Sequence, residues 1–145
     1  MYFEIRQSVF GDLRNALKLD KQAFEQDAWT LLDYISVFND PSVCRFTAFA
    51  EGQFAGFAAA ERDGDDHVNL LTLAVCPEFQ RNGIGTALLQ RCENAFDAAG
   101  ARLFVDDQNQ AAIRLYEKAG YRTNGKIPGY YMNGHDALIM EKTGK

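Results

Sequence analysis

Residues 67–86, HVNLLTLAVCPEFQRNGIGT, constrain this chain more than any other stretch. Nine mostly apolar residues end at Val75, a short polar segment follows, and two glycines stand two apart where a helix begins. The length and flanks of 67–75 suit a central strand buried on both faces. From Ile84, apolar residues recur at 84, 87, 88, 92, 95, 96 and 99, which predicts a helix closed by Gly100. A glycine inside a helix costs about 1 kcal/mol relative to alanine, so Gly83 and Gly85 need a reason. Helix N-termini expose unpaired N–H groups and a partial positive charge, and glycines there let a phosphate come close to the backbone. The pair therefore suggests a pyrophosphate cradle, with Arg81 adding a charge-assisted contact. The stretch is neither a P-loop, since no Gly-Lys-Ser/Thr follows, nor the dinucleotide fingerprint. A glycine-started helix packed closely on its strand is the alternative.

The rest of the chain alternates strands and helices around this unit. Residues 2–7 read as a strand. Residues 11–27 carry Leu13, Ala16, Leu17 and Phe24 at helical spacing; 29–39 carry Leu32, Ile35 and Phe38, and Pro41 ends that helix. Strand-like runs at 43–50 and 54–61 flank Glu51-Gly52-Gln53, a hairpin signal. The acidic run Asp63 to Asp66 reads as a solvated turn. Residues 101–105, ARLFV, form a further buried strand. Asn109 caps a short helix with Ile113, Leu115, Tyr116 and Ala119 inside, stopped by Gly120. Residues 121–142 read as two strands around the loop PGYYMNGHD. The order β-α-α-β-β-β-α-β-α-β-β predicts one α/β domain over residues 1–145, with a mixed sheet of about seven strands and four helices.

Bulk properties remove several classes of function. The net charge of −5 argues against non-specific nucleic-acid binding, which needs a basic face. No stretch approaches eighteen apolar residues, so no membrane span is expected. Cys44, Cys76 and Cys92 form no CxxC pair, and the N-terminus has no signal-peptide pattern; both fit a reduced, cytoplasmic setting. The two histidines, His67 and His135, lie in no ligand-spaced cluster, so no metal is expected and both read as surface or hydrogen-bonded residues.

QRNGIG resembles the Q/R-x-x-G-x-G/A motif of the GNAT N-acetyltransferases. LTLAVCPEFQ (71–80) is similar to that family's strand and splayed turn before the motif. LFVDDQNQAAIRLYEKAGY (103–121) is similar to its L-x-V…N-x-x-A-x-x-L-Y-x-x-x-G-F/Y stretch. GYYMNGHDALIM (129–140) resembles the closing strands of the branch that acetylates ribosomal proteins and protein N-termini, and AFEQDAWT (23–30) resembles that branch's substrate loop.

The resemblance implies a splayed central strand pair and direct acetyl transfer from acetyl-CoA to a primary amine, without a metal. It implies that backbone groups of Leu73, Ala74 and Val75 hold the pantetheine arm. The amides of Arg81, Asn82, Gly83, Ile84, Gly85 and Thr86 would hold the pyrophosphate. Asn109 and Ala112 would meet the pantetheine end, and Tyr116 the thioester sulfur. Trp29, Tyr130 and Tyr131 would wall the acceptor.

The chain departs from the family at the base. Where the ribosomal-protein branch usually has a glutamate after the Leu of L-x-V, this chain has Phe104. Asp106, two residues on and on the same strand face, is the first substitute, and Glu25 the second. A tyrosine giving its proton fully to a thiolate goes uphill by about 2 kcal/mol, so Tyr116 either donates it or only hydrogen-bonds the developing charge. Lysine costs about 3 kcal/mol more than an α-amine to deprotonate at pH 7, and a site without an obvious base favours α-amines. The expected acceptor is a protein or peptide N-terminus; a small amine, or a non-catalytic acyl-CoA-binding module, are the alternatives. Monomer and homodimer stay open.

Overall fold

The structure is a computed structural model that describes residues 1–64 and 66–144; Asp65 of the acidic turn lies outside them. Seven strands form one sheet in the order β1-β2-β3-β4-β5-β7-β6. They are β1 (Phe3–Gln7), β2 (Val43–Ala50), β3 (Gln53–Arg62), β4 (His67–Val75), β5 (Gly100–Asp106), β6 (Arg122–Ile127) and β7 (Ala137–Thr143). The four α-helices are α1 (Leu13–Phe24), α2 (Leu31–Asn39), α3 (Ile84–Asn94) and α4 (Gln110–Lys118). Only β4 and β5 run parallel; every other neighbouring pair is antiparallel.

Local chemistry explains the joints. Glu51 and Gly52 both have positive φ, 52° and 77°, the two-residue turn whose twist matches a hairpin. Thr30 caps α2 and Asp33 returns the bond to the Thr30 N–H, so α2 begins after Trp29 rather than with it. Asn109 caps α4 through the Ala112 N–H at 3.2 Å.

Helices cover both faces. Leu13, Ala16, Tyr34 and Phe38 from α1 and α2 pack with Val43, Phe57 and Ala59 on one side. Ile84, Leu88, Leu89 and Cys92 of α3 and Tyr116 of α4 pack with Phe46, Ala58, Leu103 and Met140 on the other. The three cysteines are free. Among the described residues, no helix is long and apolar enough to cross a membrane.

Two expectations are corrected. Helix α3 stops at Asn94, not at Gly100. Gly100 instead opens β5 between His67 and Thr143, and a Cβ there would lie 2.5 Å from the Lys142 carbonyl oxygen. The glycine serves a close strand approach, which a pattern of apolar spacing does not reveal. Strand β4 is not buried on both faces: only Val68 is buried, and Asn69 to Val75 are half-exposed. The cause is the splay. β4 pairs with β5 only at His67–Asn69, after which the two strands part.

Candidate active site

The parting of β4 from β5 opens a pocket of about 1010 Å³. Its floor is Asn69 to Leu73; its far wall is Phe104 to Asp106 with Asn109, Ala112 and Tyr116. Its mouth carries Glu25, Asp27 and Trp29 on one side and Tyr130, Tyr131, Asn133 and His135 on the other.

On the β4 side the available groups are main-chain. The Cys76 N–H bonds the Ala55 carbonyl of β3 at 2.7 Å. Strand alternation then turns the backbone groups of Ala74 toward β3, and those of Leu73 and Val75 toward the gap. Ala74, grouped with them on the resemblance, is thus committed to the ladder. The Val75 carbonyl in the gap already accepts a bond from Gln80 Nε2 at 3.0 Å. An extended chain entering the gap meets this strand edge directly.

The turn beyond β4 answers the question of the two glycines. Arg81 and Gly83 adopt left-handed φ values of 66° and 84°. Gly83 has open space around it, so conformation alone asks for glycine. Gly85 is buried, and a Cβ there would come within 2.8 Å of Leu115 Cδ1; it lets α3 close onto α4. The side chain of Asn82 holds the turn through the Phe79 and Gln80 carbonyls. The first bond inside α3 runs from the Ala87 N–H to the Gly83 carbonyl, leaving the amides of Ile84, Gly85 and Thr86 without helical partners. Residues 80–83 are exposed, and this end suits a phosphate-rich ligand.

Tyr116 is buried in the pocket wall. Its hydroxyl has no hydrogen-bond partner among the described residues, yet no enclosed side-chain polar atom there goes unpaired. The hydroxyl must therefore reach the pocket. Burial, with smaller contributions from Tyr131 and Cys92, pushes its pKa far above the usual tyrosine value. It stays protonated and serves as a hydrogen-bond donor more readily than as an acid.

The mouth of the pocket is built from distant segments. The Met132 N–H bonds Asp27 Oδ1 at 2.7 Å and ties the β6–β7 loop to the α1–α2 connection. The Trp29 ring packs on Tyr34 at 5.1 Å, and the Trp29 main-chain N–H donates to Asp20 Oδ2 at 2.7 Å. Tyr130 meets Tyr131 at 5.0 Å and Phe104 at 5.5 Å, both edge-to-face. Burial first, then Tyr130, Asp106 and Asp27, raise the Tyr131 phenol strongly. Glu25 sits in the pocket rim with a φ of 50°.

β5 continues to Asp106, so Phe104 and Asp106 share the pocket face, as two-residue spacing predicts. Asp106 does not stand alone. It accepts bonds from Asn133 Nδ2 at 3.0 Å and the Gln108 N–H at 2.9 Å, and pairs with His135 Nδ1 at 2.8 Å. Burial pushes its carboxyl up, but these three partners outweigh it and hold the pKa below the ordinary value. Sequence reasoning passed over His135 and Asn133. The signal lay in strand pairing: Asp106 stands opposite Ala137, so the loop just before Ala137 emerges beside it. Among the described residues, no cluster of three metal-ligating side chains occurs.

The model of the acetyltransferase (GNAT) family matches residues 10–121. The chain belongs to the GNAT acetyltransferase family. An N-alpha-acetyltransferase of Saccharolobus solfataricus is 35% identical, over 97% of this chain and 92% of its own. An uncharacterised N-acetyltransferase of Methanocaldococcus jannaschii is 32% identical, over 95% of this chain and 90% of its own. The structure of the ribosomal-protein-S18-alanine N-acetyltransferase from Escherichia coli superposes with a TM-score of 0.84 at 29% identity, covering 98% of this chain and 94% of that one. This GNAT protein is an N-acetyltransferase rather than a non-catalytic module, and acetyl-CoA is its donor. The open edge of β4 and the amides at the start of α3 fit an extended pantetheine arm and a pyrophosphate.

Proposed function

We propose that this acetyltransferase acetylates the free α-amine of a protein or peptide N-terminus. The observation that carries the reading is the joined mouth of the pocket. The Asp27–Met132 bond brings Trp29, Tyr130 and Tyr131 around one opening that leads to Tyr116. An extended peptide end, apolar along its length and amine-first, suits such an opening. The names of the relatives, N-alpha-acetyltransferase and ribosomal-protein-alanine acetyltransferase, support the same class.

In this reading, Leu73 and Val75 hold the pantetheine arm, and the amides of Arg81 to Thr86 hold the pyrophosphate. Asn109 and Ala112 border the thioester end. The Tyr116 hydroxyl donates a hydrogen bond to the departing thiolate, which its raised pKa favours over full proton loss. The reaction is an exchange of bonds at one carbonyl carbon: C–N forms, C–S breaks, and the nitrogen sheds two protons. An α-amine gives up its first proton at pH 7 for about 3 kcal/mol less than lysine does.

A second reading rests on Phe104. Its ring against Tyr130 makes the inner acceptor wall apolar, which also suits a small amine. Thiol release from acetyl-CoA, with mass spectrometry of products, separates the two. The panel is short peptides with free N-termini, the same peptides blocked, lysine-containing peptides and small amines. Turnover confined to free N-termini is the expected result; turnover on small amines alone selects the second reading.

A further inference from the structure

The proton that leaves the amine has no assigned destination, and Phe104 cannot take it. We propose that His135 Nε2 is the general base and that Asp106 is its positioning residue. The inference rests on an amine acceptor of any kind, so it holds for either reading above.

Four observations carry it. His135 lines the same pocket as Tyr116. Its Nδ1 is engaged by both oxygens of Asp106, at 3.0 and 2.8 Å. An ionised carboxylate can only accept, so Nδ1 carries the proton and Nε2 keeps its lone pair. Nε2 has no hydrogen-bond partner among the described residues, and the side chain is 43% exposed. The dyad is held from behind. Asn133 Nδ2 and the Gln108 N–H fix the carboxylate, and the His135 N–H bonds Asn133 Oδ1 at 2.8 Å.

Other ionisable groups surround the ring without displacing it. Glu25 and Asp27 line the same pocket, and Asp27 accepts from the Met132 N–H of the loop that carries His135. Asp136, the next residue, pairs with Lys126 at 3.5 Å. Tyr116 and Tyr131 both have strongly raised pKa values and stay neutral. Asp106 is a poor base itself: three donors occupy its oxygens and its pKa is lowered.

The step balances. The ammonium gives one proton to Nε2, which passes it to water. The amine nitrogen then forms its bond to the acetyl carbon as the carbon–sulfur bond breaks, and the second nitrogen-borne proton ends on the thiolate. An α-amine gives up its proton more readily than lysine to this or any other acceptor, so the base serves either amine without changing that order.

The test is kcat/KM against pH for wild type, His135→Gln, Asp106→Asn, the double variant and Glu25→Gln. The acceptor is the free amine of the panel that wild type acetylates fastest. His135→Gln is expected to lose about 100-fold and the acid-side inflection, with the KM for acetyl-CoA unchanged. Added imidazole should restore part of the rate of His135→Ala. Asp106→Asn can offer its amide to Nδ1 and force the proton onto Nε2, so it too loses rate, and the double variant is no worse than His135→Gln. A full rate and retained inflection in His135→Gln overturn the proposal. So does loss of the inflection in Glu25→Gln alone, or a defect in His135→Ala confined to acceptor KM and deaf to imidazole. Turnover of small amines only would sink the N-terminal reading and leave this test standing. An enzyme that acetylates nothing on the panel overturns both.

Discussion

The two sides of the pocket are made in opposite ways. On the proposed assignment, most of the donor side is one continuous stretch, from Asn69 on β4 to Thr86 on α3, and it would work through main-chain groups. The acceptor side is assembled from three segments, 25–29, 104–106 and 130–135, and it works through side chains. Donor binding survives most side-chain changes because conformation supplies it: a splayed strand, a left-handed turn, a helix start. On the same assignment, single side chains such as Phe104, which packs on Tyr130, would set acceptor binding. A family can thus keep one donor and vary its acceptors. Tyr116 stands where the two sides meet, and His135 enters from the acceptor side alone.

The largest expected effect falls at that junction. Tyr116→Phe removes one hydroxyl and no packing volume of note. If that hydroxyl bonds the leaving thiolate, kcat drops about 100-fold, equal to about 2.7 kcal/mol of barrier. The KM values for acetyl-CoA and amine should stay within about twofold, since the loss is confined to the transition state. A variant with unchanged kcat and a raised acetyl-CoA KM would move Tyr116 wholly to the donor side and break the idea of a junction.

The same division explains what the sequence disclosed. The donor side is local, so QRNGIG and the apolar run before it announced strand, turn and helix together. The order of all eleven elements was legible because each is set by spacing and by its ends: Asn109 caps, Pro41 and Gly120 stop, Glu51-Gly52 turns. The errors came where a residue's role depends on a distant neighbour. Gly100 looked like a helix stop because the Lys142 carbonyl that crowds it is 42 residues away. Strand β4 looked buried because its apolar pattern does not disclose that β5 leaves it after Asn69. His135, read as a surface or hydrogen-bonded residue, is both, but its partner Asp106 could not be named because it lies 29 positions earlier, across a strand pairing.

A crossed pair of substitutions tests the division directly, at a smaller scale. Arg81→Ala removes a charge at the turn before α3 and leaves the acceptor mouth intact. It should raise the acetyl-CoA KM about tenfold and leave the amine KM alone, the size of one charge-assisted bond. Tyr130→Ala removes a half-exposed ring that faces Phe104 and Tyr131. It should raise the amine KM several-fold, roughly the 0.5–1.5 kcal/mol of an aromatic contact, and leave acetyl-CoA alone. Initial-rate kinetics with each substrate varied in turn reads both. If either substitution moves both KM values together, the two sides are coupled and the contrast between them fails.

The smallest effect is one of stability, and it belongs to the acceptor side only. The folded state holds the Asp106 carboxyl below its ordinary pKa, through Asn133, Gln108 and His135. A depressed carboxylate pKa means that the folded protein prefers the ionised form. The stabilisation is therefore complete above the unfolded value, near pH 4, and is lost as pH falls through the lower folded value. The side chain is 21% exposed and solvent screens it, so the whole contribution stays below about 1 kcal/mol. Asp106→Asn should consequently melt slightly below wild type at pH 7, keep that gap down to about pH 5, and lose it progressively as pH falls below about 4. Arg81→Ala, on the donor side, should show no such closing gap. Thermal melts across this range decide it: a gap that does not narrow at all below pH 4 in Asp106→Asn would mean that shape, not charge, holds the 130–135 loop to β5. The acceptor side would then be as conformational as the donor side it is contrasted with.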